Sequence, residues 1–261
     1  MRNLQRNSEE TSKSFARLSS GNRIVNAGDD AAGLSISQKL EAEVRGLKQA
    51  SRNANDGVSL VQTAEGALNE TSNLLIRLRE LGVQAASDTI GDDERGFLNR
   101  EMQQLKQEVQ RISEVTQYNG KSLLNGSVGD INFQVGAHKG ENQKITYNAN
   151  ANQATVSSLD IGGISVASKD DALDSLESID GAISKVSNSR AELGAIQNRL
   201  HSAVNTTGIY IENLSEAKSR IADTDIAEET SNLVRKSILQ DAGVAVLAQA
   251  NQAPSKALRL L

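Results

Sequence analysis

The side chains with most catalytic potential in this chain are its two histidines and its paired carboxylates. His138 and His201 lie far apart in the sequence, and neither has a second histidine or a cysteine at metal-ligand spacing. The carboxylate pairs Asp29–Asp30, Asp92–Asp93 and Glu228–Glu229 stand near predicted helix starts, where capping and solvation are the usual roles. Cysteine is absent, and neither glycine-rich phosphate-binding loop occurs. The sequence therefore predicts no catalytic site, cofactor or metal, and a protein that is not an enzyme.

The composition narrows the remaining classes of function. Of the 261 residues 38% are hydrophobic but only 2% are aromatic, which suits narrow helical seams better than a globular core. A net charge of −5 without a basic stripe argues against a nucleic-acid partner. No apolar run is long enough to span a membrane, and the start MRNLQRNSEE is unlike a cleavable secretory signal. If the protein leaves the cell, we expect another export route.

One seam of residues from 176 to 221 repeats at alternating steps of three and four. Its apolar members are Leu176, Ile179, Ile183, Val186, Leu193, Leu200, Val204, Ile211, Leu214 and Ile221, and its exceptions are Arg190, Gln197, Thr207 and Lys218. Such spacing is typical of a helix that supercoils against a partner helix. A second seam predicts a helix over about 31–86, which at 1.5 Å per residue would span roughly 80 Å. The chain therefore predicts a long antiparallel helical bundle, and building material before an enzyme.

Four glycines, Gly46, Gly57, Gly66 and Gly82, interrupt the second seam. Each costs about 1 kcal/mol of helix stability relative to alanine. Two explanations stay open: tolerated surface positions, or close approach of a neighbouring backbone or subunit.

The middle of the chain has a different pattern. Asn119–Gly120 and Asn125–Gly126 are turn dipeptides, and apolar residues alternate over 131–135 and again at Ile145 and Tyr147. This pattern predicts a β-hairpin, with less regular strands or turns over 155–166. The fold class is mainly α, with a small β-hairpin insert at about 127–168. The predicted domains are a bundle core over 29–220 and terminal helices over 1–28 and 221–261.

The two ends of the chain carry the predicted association site. The last helix should run over about 226–252 and end at Pro254. The apolar residues that we expect to mediate association are Phe15, Leu18, Val244, Val246, Leu247, Leu258, Leu260 and Leu261. A contiguous exposed apolar surface marks an association site. The alternative is that the tail folds back onto the bundle.

Long motifs resemble those of bacterial flagellin over nearly the whole chain. They are RLSSGNRIVNAGDDAAGLSIS (17–37), NANDGVSLVQTAEGALNE (53–70), YNGKSLLNG (118–126), FQVGAHKGENQKI (133–145) and ILQDAGVAVLAQANQAPSKALRLL (238–261). The resemblance implies an extracellular filament subunit, exported through the flagellar type III apparatus without a cleaved signal peptide. It implies termini that pair as the inner polymerisation layer. The implied partners are further copies of the subunit, an export chaperone, and cap and junction proteins.

The resemblance also implies a surface read by the animal innate receptor TLR-five. Motif alignment places this surface at Arg77, Leu81 and Glu101, with Gln84 adjacent. Ile76 replaces the usual Gln of the family, and Gly82 replaces the usual Ala. Two further departures are expected: the variable outer domains are missing, and the chain begins later than flagellins usually do.

Two other functions compete with a filament subunit. A hook–filament junction protein of the same superfamily would cap a boundary instead of polymerising indefinitely. A signalling helical hairpin of chemoreceptor type would share the alanine- and glutamine-rich, aromatic-poor composition, but such hairpins have no β insert at mid-chain. The close match at both ends favours the filament subunit.

Overall fold

A computed structural model describes residues 2–258, with side chains up to residue 250. The described helices are α1 (Arg2–Ser20), α2 (Ala31–Ala85), α3 (Asp92–Val115), α4 (Lys169–Ala222) and α5 (Ile226–Leu258). The strands between α3 and α4 are β1 (Gln117–Tyr118), β2 (Lys121–Ser122), β3 (Asp130–Gln134) and β4 (Lys144–Asn148). The predicted fold class, a mainly α bundle with a β-hairpin insert, is confirmed.

The contacts divide the chain into two compact units. Unit 1 comprises Met1–Arg45 and Tyr210–Leu261, and unit 2 comprises Gly46–Ile209. The predicted boundaries near residues 28 and 221 concern layers of an assembly, which the contacts of one chain do not test, so they stay a prediction.

The core of unit 2 is the meeting of the two heptad seams. On α2, Leu68, Leu75 and Leu78 are at most 1% exposed, and on α4 Ile179 and Leu193 are fully buried. The two helices run antiparallel: Arg79 pairs with Asp180 at 2.6 Å, and Gly57 lies against Leu200. Because the seams recur every 3.5 residues, the same faces stay in contact along the helices.

The four glycines of α2 answer to both explanations. A Cβ on Gly57 would lie 3.0 Å from the Phe133 ring, and one on Gly82 would lie 2.9 Å from Leu176. Gly46 similarly faces Ala137, at 3.3 Å. At Gly66, by contrast, nothing lies within 4 Å. Three of these positions therefore allow close approach, and one is a tolerated surface glycine.

The β insert contains the predicted hairpin and a smaller one. β3 and β4 are antiparallel, with Ile131 opposite Tyr147 and Phe133 opposite Ile145. The Tyr147 hydroxyl donates a hydrogen bond of 2.7 Å to the Leu123 carbonyl. β1 and β2 enclose Asn119 and Gly120 at φ +49° and +76°, values that a type I′ turn requires.

The segment 155–166 forms turns and no strand among the described residues. Its backbone bonds instead to a polar row on α3. Gln110 Oε1 accepts from Val156 N at 3.0 Å, Lys106 Nζ donates to Gly162 O at 2.6 Å, and Asn99 Oδ1 accepts from Val166 N at 3.2 Å. These side chains satisfy buried backbone groups that a strand would have paired in a ladder.

The predicted end of the last helix at Pro254 is wrong. α5 continues to Leu258. Proline lacks an N–H and so removes one helical hydrogen bond, which here does not end the helix.

Candidate self-association surface

The turn after α1 and the turn before α5 bring the two terminal helices side by side. Gly21 adopts φ +72°, a left-handed conformation that ends α1. Arg23 N donates to Ala222 O at 2.6 Å, and Thr224 N donates to Gly21 O at 2.9 Å. Asp225 Oδ1 then caps α5 by accepting from Ala227 N and Glu228 N. The two turns thus form a short antiparallel bridge from which α1 and α5 start together.

The interface between α1 and α5 is mainly polar. Asn7 Nδ2 donates to Lys236 O at 2.7 Å, and Lys236 Nζ donates to Ser14 Oγ at 3.2 Å. Arg17 pairs with Glu229 at 3.7 Å. Ser14 and Glu229 are 1% and 9% exposed, so these polar residues occupy the positions of a core.

The large apolar side chains of the same two helices face outward. Those at least half exposed are Phe15, Val234, Ile238, Leu239, Val244 and Val246. An apolar groove of about 590 Å³ between the helices is lined by Leu4, Leu239, Val246 and Leu247, among others. We call this set of outward side chains and the groove the terminal apolar surface. The pair is thus inverted relative to a soluble coiled coil, which buries its apolar residues between the helices.

The structure places the predicted association residues as follows. Phe15, Val244 and Val246 are 60%, 54% and 67% exposed. Leu18 and Leu247 are half-buried. Because Val244 and Val246 face outward, the alternative in which this part of the tail folds back onto the bundle is not observed. The side chains of Leu258, Leu260 and Leu261 lie outside the described residues.

The residues of the predicted receptor surface do not all share one environment. Arg77 bonds Glu101 at 2.7 Å and Glu80 at 3.0 Å, which raises the pKa of its guanidinium. Gln84 is exposed. Leu81, however, is fully buried in the core of unit 2, so its side chain has no surface to offer a partner.

The groups with catalytic potential have structural surroundings. His138 lies in the loop between β3 and β4, and His201 lies on α4. Asp30 caps α2 by accepting from Gly33 N at 2.8 Å. Among residues 2–258, no group of three or more His, Asp or Glu side chains is placed to hold a metal ion. None of the helices in that range is long and apolar enough to cross a membrane.

Sequence reasoning missed the polar seam between α1 and α5. Its signal is present in the spacing: Leu4, Asn7, Thr11, Ser14 and Leu18 recur at steps of three and four. The signal is hard to detect because hydropathy patterns treat Asn, Thr and Ser as solvent-facing.

Comparisons with known proteins identify the family. The model of the bacterial flagellin N-terminal helical region matches residues 1–128, and that of the C-terminal helical region matches residues 176–261. A flagellin of Halalkalibacterium halodurans is 43% identical, over 100% of this chain and 95% of the relative. The flagellar filament 33 kDa core protein of Treponema phagedenis is 38% identical, over 95% and 91%.

A solved structure agrees with this assignment. The crystal structure of Bacillus cereus flagellin matches with a TM-score of 0.53 and 31% identity, covering 60% of this chain and 88% of that one. Nothing among these matches favours the junction protein or the signalling hairpin. The chain therefore belongs to the bacterial flagellins, the structural subunits of the extracellular flagellar filament.

Proposed function

We propose that copies of this chain polymerise by burying the terminal apolar surface of α1 and α5 against their neighbours. The inverted polarity of the helix pair carries the proposal: its polar side chains are used within the subunit, and its apolar side chains remain outside. Full burial of each large aliphatic or aromatic side chain contributes about 1.5–3 kcal/mol. A few such residues are therefore sufficient to drive association.

The test removes apolar area without disturbing the polar seam. In the double variant Phe15→Ser/Val246→Ser, we expect helix content by circular dichroism to be retained and the critical concentration for polymerisation to rise at least about tenfold. The control is Val115→Ser on α3, where the valine is 54% exposed. Filaments formed by the double variant at the wild-type critical concentration would contradict the proposal. Electron microscopy of those filaments also separates an indefinite polymer from a junction protein, which should stop growing.

Before assembly, the same surface needs protection from water. We propose that an export chaperone covers it in the cell, and that cap and junction proteins contact it at the filament ends. Export through the flagellar apparatus would leave no cleaved signal peptide. Identical N-terminal sequences for cellular and filament protein would support this route, and a shortened filament form would contradict it.

The receptor proposal is restricted to the exposed residues. Arg77, Gln84 and Glu101 form a surface spanning α2 and α3, and TLR-five is the partner that it would contact. Arg77→Ala should weaken binding of the subunit to the receptor ectodomain about tenfold, the loss expected for a charged contact. Arg79→Ala is the matched control, because Arg79 is equally exposed but pairs with Asp180 on α4. Equal losses in both variants would contradict a specific role for Arg77.

We further propose that the chain has no catalytic activity. Its caps, ion pairs and polar seam account for the carboxylates that paired sequence positions brought to notice. Turnover of a substrate in a broad hydrolase screen would contradict this.

A further inference from the structure

Unit 2 has two well-defined ends along its helices. At one end lie residues 84–97, around the α2–α3 turn, and residues 160–177, at the start of α4. Lys169 pairs with Asp88 at 2.8 Å, and Arg95 donates to Ala85 O at 2.9 Å, so these segments meet. We call this the turn end. At the other end lie residues 46–57, 134–144 and 199–209, which meet where Gly46 faces Ala137 and Gly57 faces Leu200. We call this the hairpin end.

The turn end is strongly acidic. Its two segments contain nine carboxylates and two basic residues. The exposed carboxylates there are Asp88, Asp92, Asp93, Glu94, Asp160, Asp170, Asp171, Asp174 and Glu177. Both basic residues are already engaged, since Lys169 pairs with Asp88 and Arg95 pairs with Asp92. The end therefore presents an uncompensated negative field.

The hairpin end has the opposite charge. Its three segments contain five Lys or Arg residues and two carboxylates. Lys48, Lys139 and Arg199 are exposed and form no ion pair with any residue in the described range. Glu141, one of the two carboxylates, is used by Lys144 at 3.2 Å. The positive charge of this end is thus available to a partner.

These two fields cannot neutralise each other within one molecule. Residues 46 and 85 of the continuous helix α2 are about 60 Å apart at 1.5 Å per residue. The Debye length at physiological salt is about 8 Å, so each end acts on what lies directly next to it.

We propose that, in the assembly, the turn end of unit 2 in one copy docks against the hairpin end of unit 2 in another copy. This rests on the proposed polymerisation, to which it adds direction: a head-to-tail contact between opposite charges generates a non-closing polymer with one polarity. The occupant is a second copy because the same chain carries both complementary surfaces, and every copy brings one of each. Complementary fields of this kind speed correct encounters and suppress like-charged ones.

The test exchanges the charge of each end separately. The first variant, Asp93→Lys/Asp174→Lys, makes both ends positive, and the second, Lys48→Glu/Lys139→Glu, makes both ends negative. Polymerisation is followed by turbidity and electron microscopy at about 20 mM NaCl, where screening is weak. Each variant alone should polymerise about tenfold or more slower than wild type, and an equimolar mixture should recover to within about threefold of it. Only in the mixture can opposite charges alternate along the polymer.

Two controls separate a charge effect from a folding effect. Glu70→Lys/Glu114→Lys makes the same change in net charge on exposed helix positions away from both ends, and should polymerise like wild type. About 0.5 M NaCl should abolish the advantage of the mixture over the single variants, because the Debye length falls to a few ångströms.

The outcomes divide cleanly. A mixture no faster than its components, or components as fast as wild type, overturns the head-to-tail contact while leaving polymerisation through the terminal helices intact. Normal polymerisation of Phe15→Ser/Val246→Ser overturns the latter and leaves the mixing experiment valid.

Discussion

The acidic side chain that responds most to its surroundings is Glu41, which lies between two cations. Lys218 on α4 and Arg45 on α2 both bond its carboxylate, Arg45 at 2.6 Å, and they lower the pKa of Glu41 to about 2. Lys218 is one of the four exceptions in the α4 seam, and this pairing explains why a charge is tolerated there. A heptad seam can hold one charged residue when a partner on the facing helix receives it.

This cluster predicts a pH dependence. Because the folded pKa lies below the ordinary value of 4.5, the stabilisation is present above about pH 4.5 and is lost as the pH falls towards 2. Denaturant unfolding from pH 6 to 2 should therefore show a difference between wild type and Glu41→Gln that shrinks over this window. In a Lys218→Met background, Glu41→Gln should have a smaller and flatter effect. A difference independent of pH would contradict the ion-pair account.

The buried phenol of Tyr147 gives the opposite sign. Burial, together with the negative charge of Glu192, raises the pKa of Tyr147, so its stabilisation is present below about pH 10 and is lost as the pH rises beyond that. Tyr147→Phe leaves the Leu123 carbonyl without its donor and should lower the free energy of unfolding by about 1–3 kcal/mol at neutral pH. Tyr210→Phe, at a 56% exposed position on α4, should change it little. Equal effects in the two variants would show that the hydrogen bond contributes nothing.

At the scale of elements, the helices follow from periodicity and the irregular parts do not. Seams with period 3.5 fix where α2 and α4 run, because only aliphatic residues at those positions build a continuous core. The segment 155–166 was out of reach, since its backbone partners are Asn99, Lys106 and Gln110 on a distant helix. The polar seam of α1 was missed for the same reason: its buried Ser14 is satisfied by Lys236, which lies near the other end of the chain.

The glycines of α2 allow the packing of the β insert on the helix to be measured. Gly57→Ala would place a methyl group 3.0 Å from the Phe133 ring and 3.3 Å from Leu200, a crowding that typically costs about 1–3 kcal/mol. The gain of about 1 kcal/mol in helix propensity offsets only part of this cost. Gly66→Ala has the same propensity gain and nothing within 4 Å, so it should stabilise. Thermal unfolding should shift in opposite directions, and a stabilised Gly57→Ala would refute the close packing.

At the scale of the whole molecule, the two units differ in what holds them together. Unit 2 has a continuous aliphatic core, with Leu75, Leu78 and Leu81 fully buried. The pairing of α1 with α5 depends on hydrogen bonds and ion pairs, and Phe15, Ile238 and Val246 are left in water. Surface ion pairs contribute only about 0–1 kcal/mol each, far less than apolar burial does.

This difference predicts where the free subunit opens. In hydrogen–deuterium exchange, amides of α1 and α5 should exchange much faster than those of α2 over residues 60–85, because local opening of a polar pair exposes little new apolar surface. After polymerisation, protection should rise most in α1 and α5, where neighbouring copies would cover the terminal apolar surface. The α2 core, already buried in the monomer, provides the internal control. Strong protection of α1 and α5 in the free subunit, unchanged in the filament, would mean that the pair is stable alone and that assembly uses another surface.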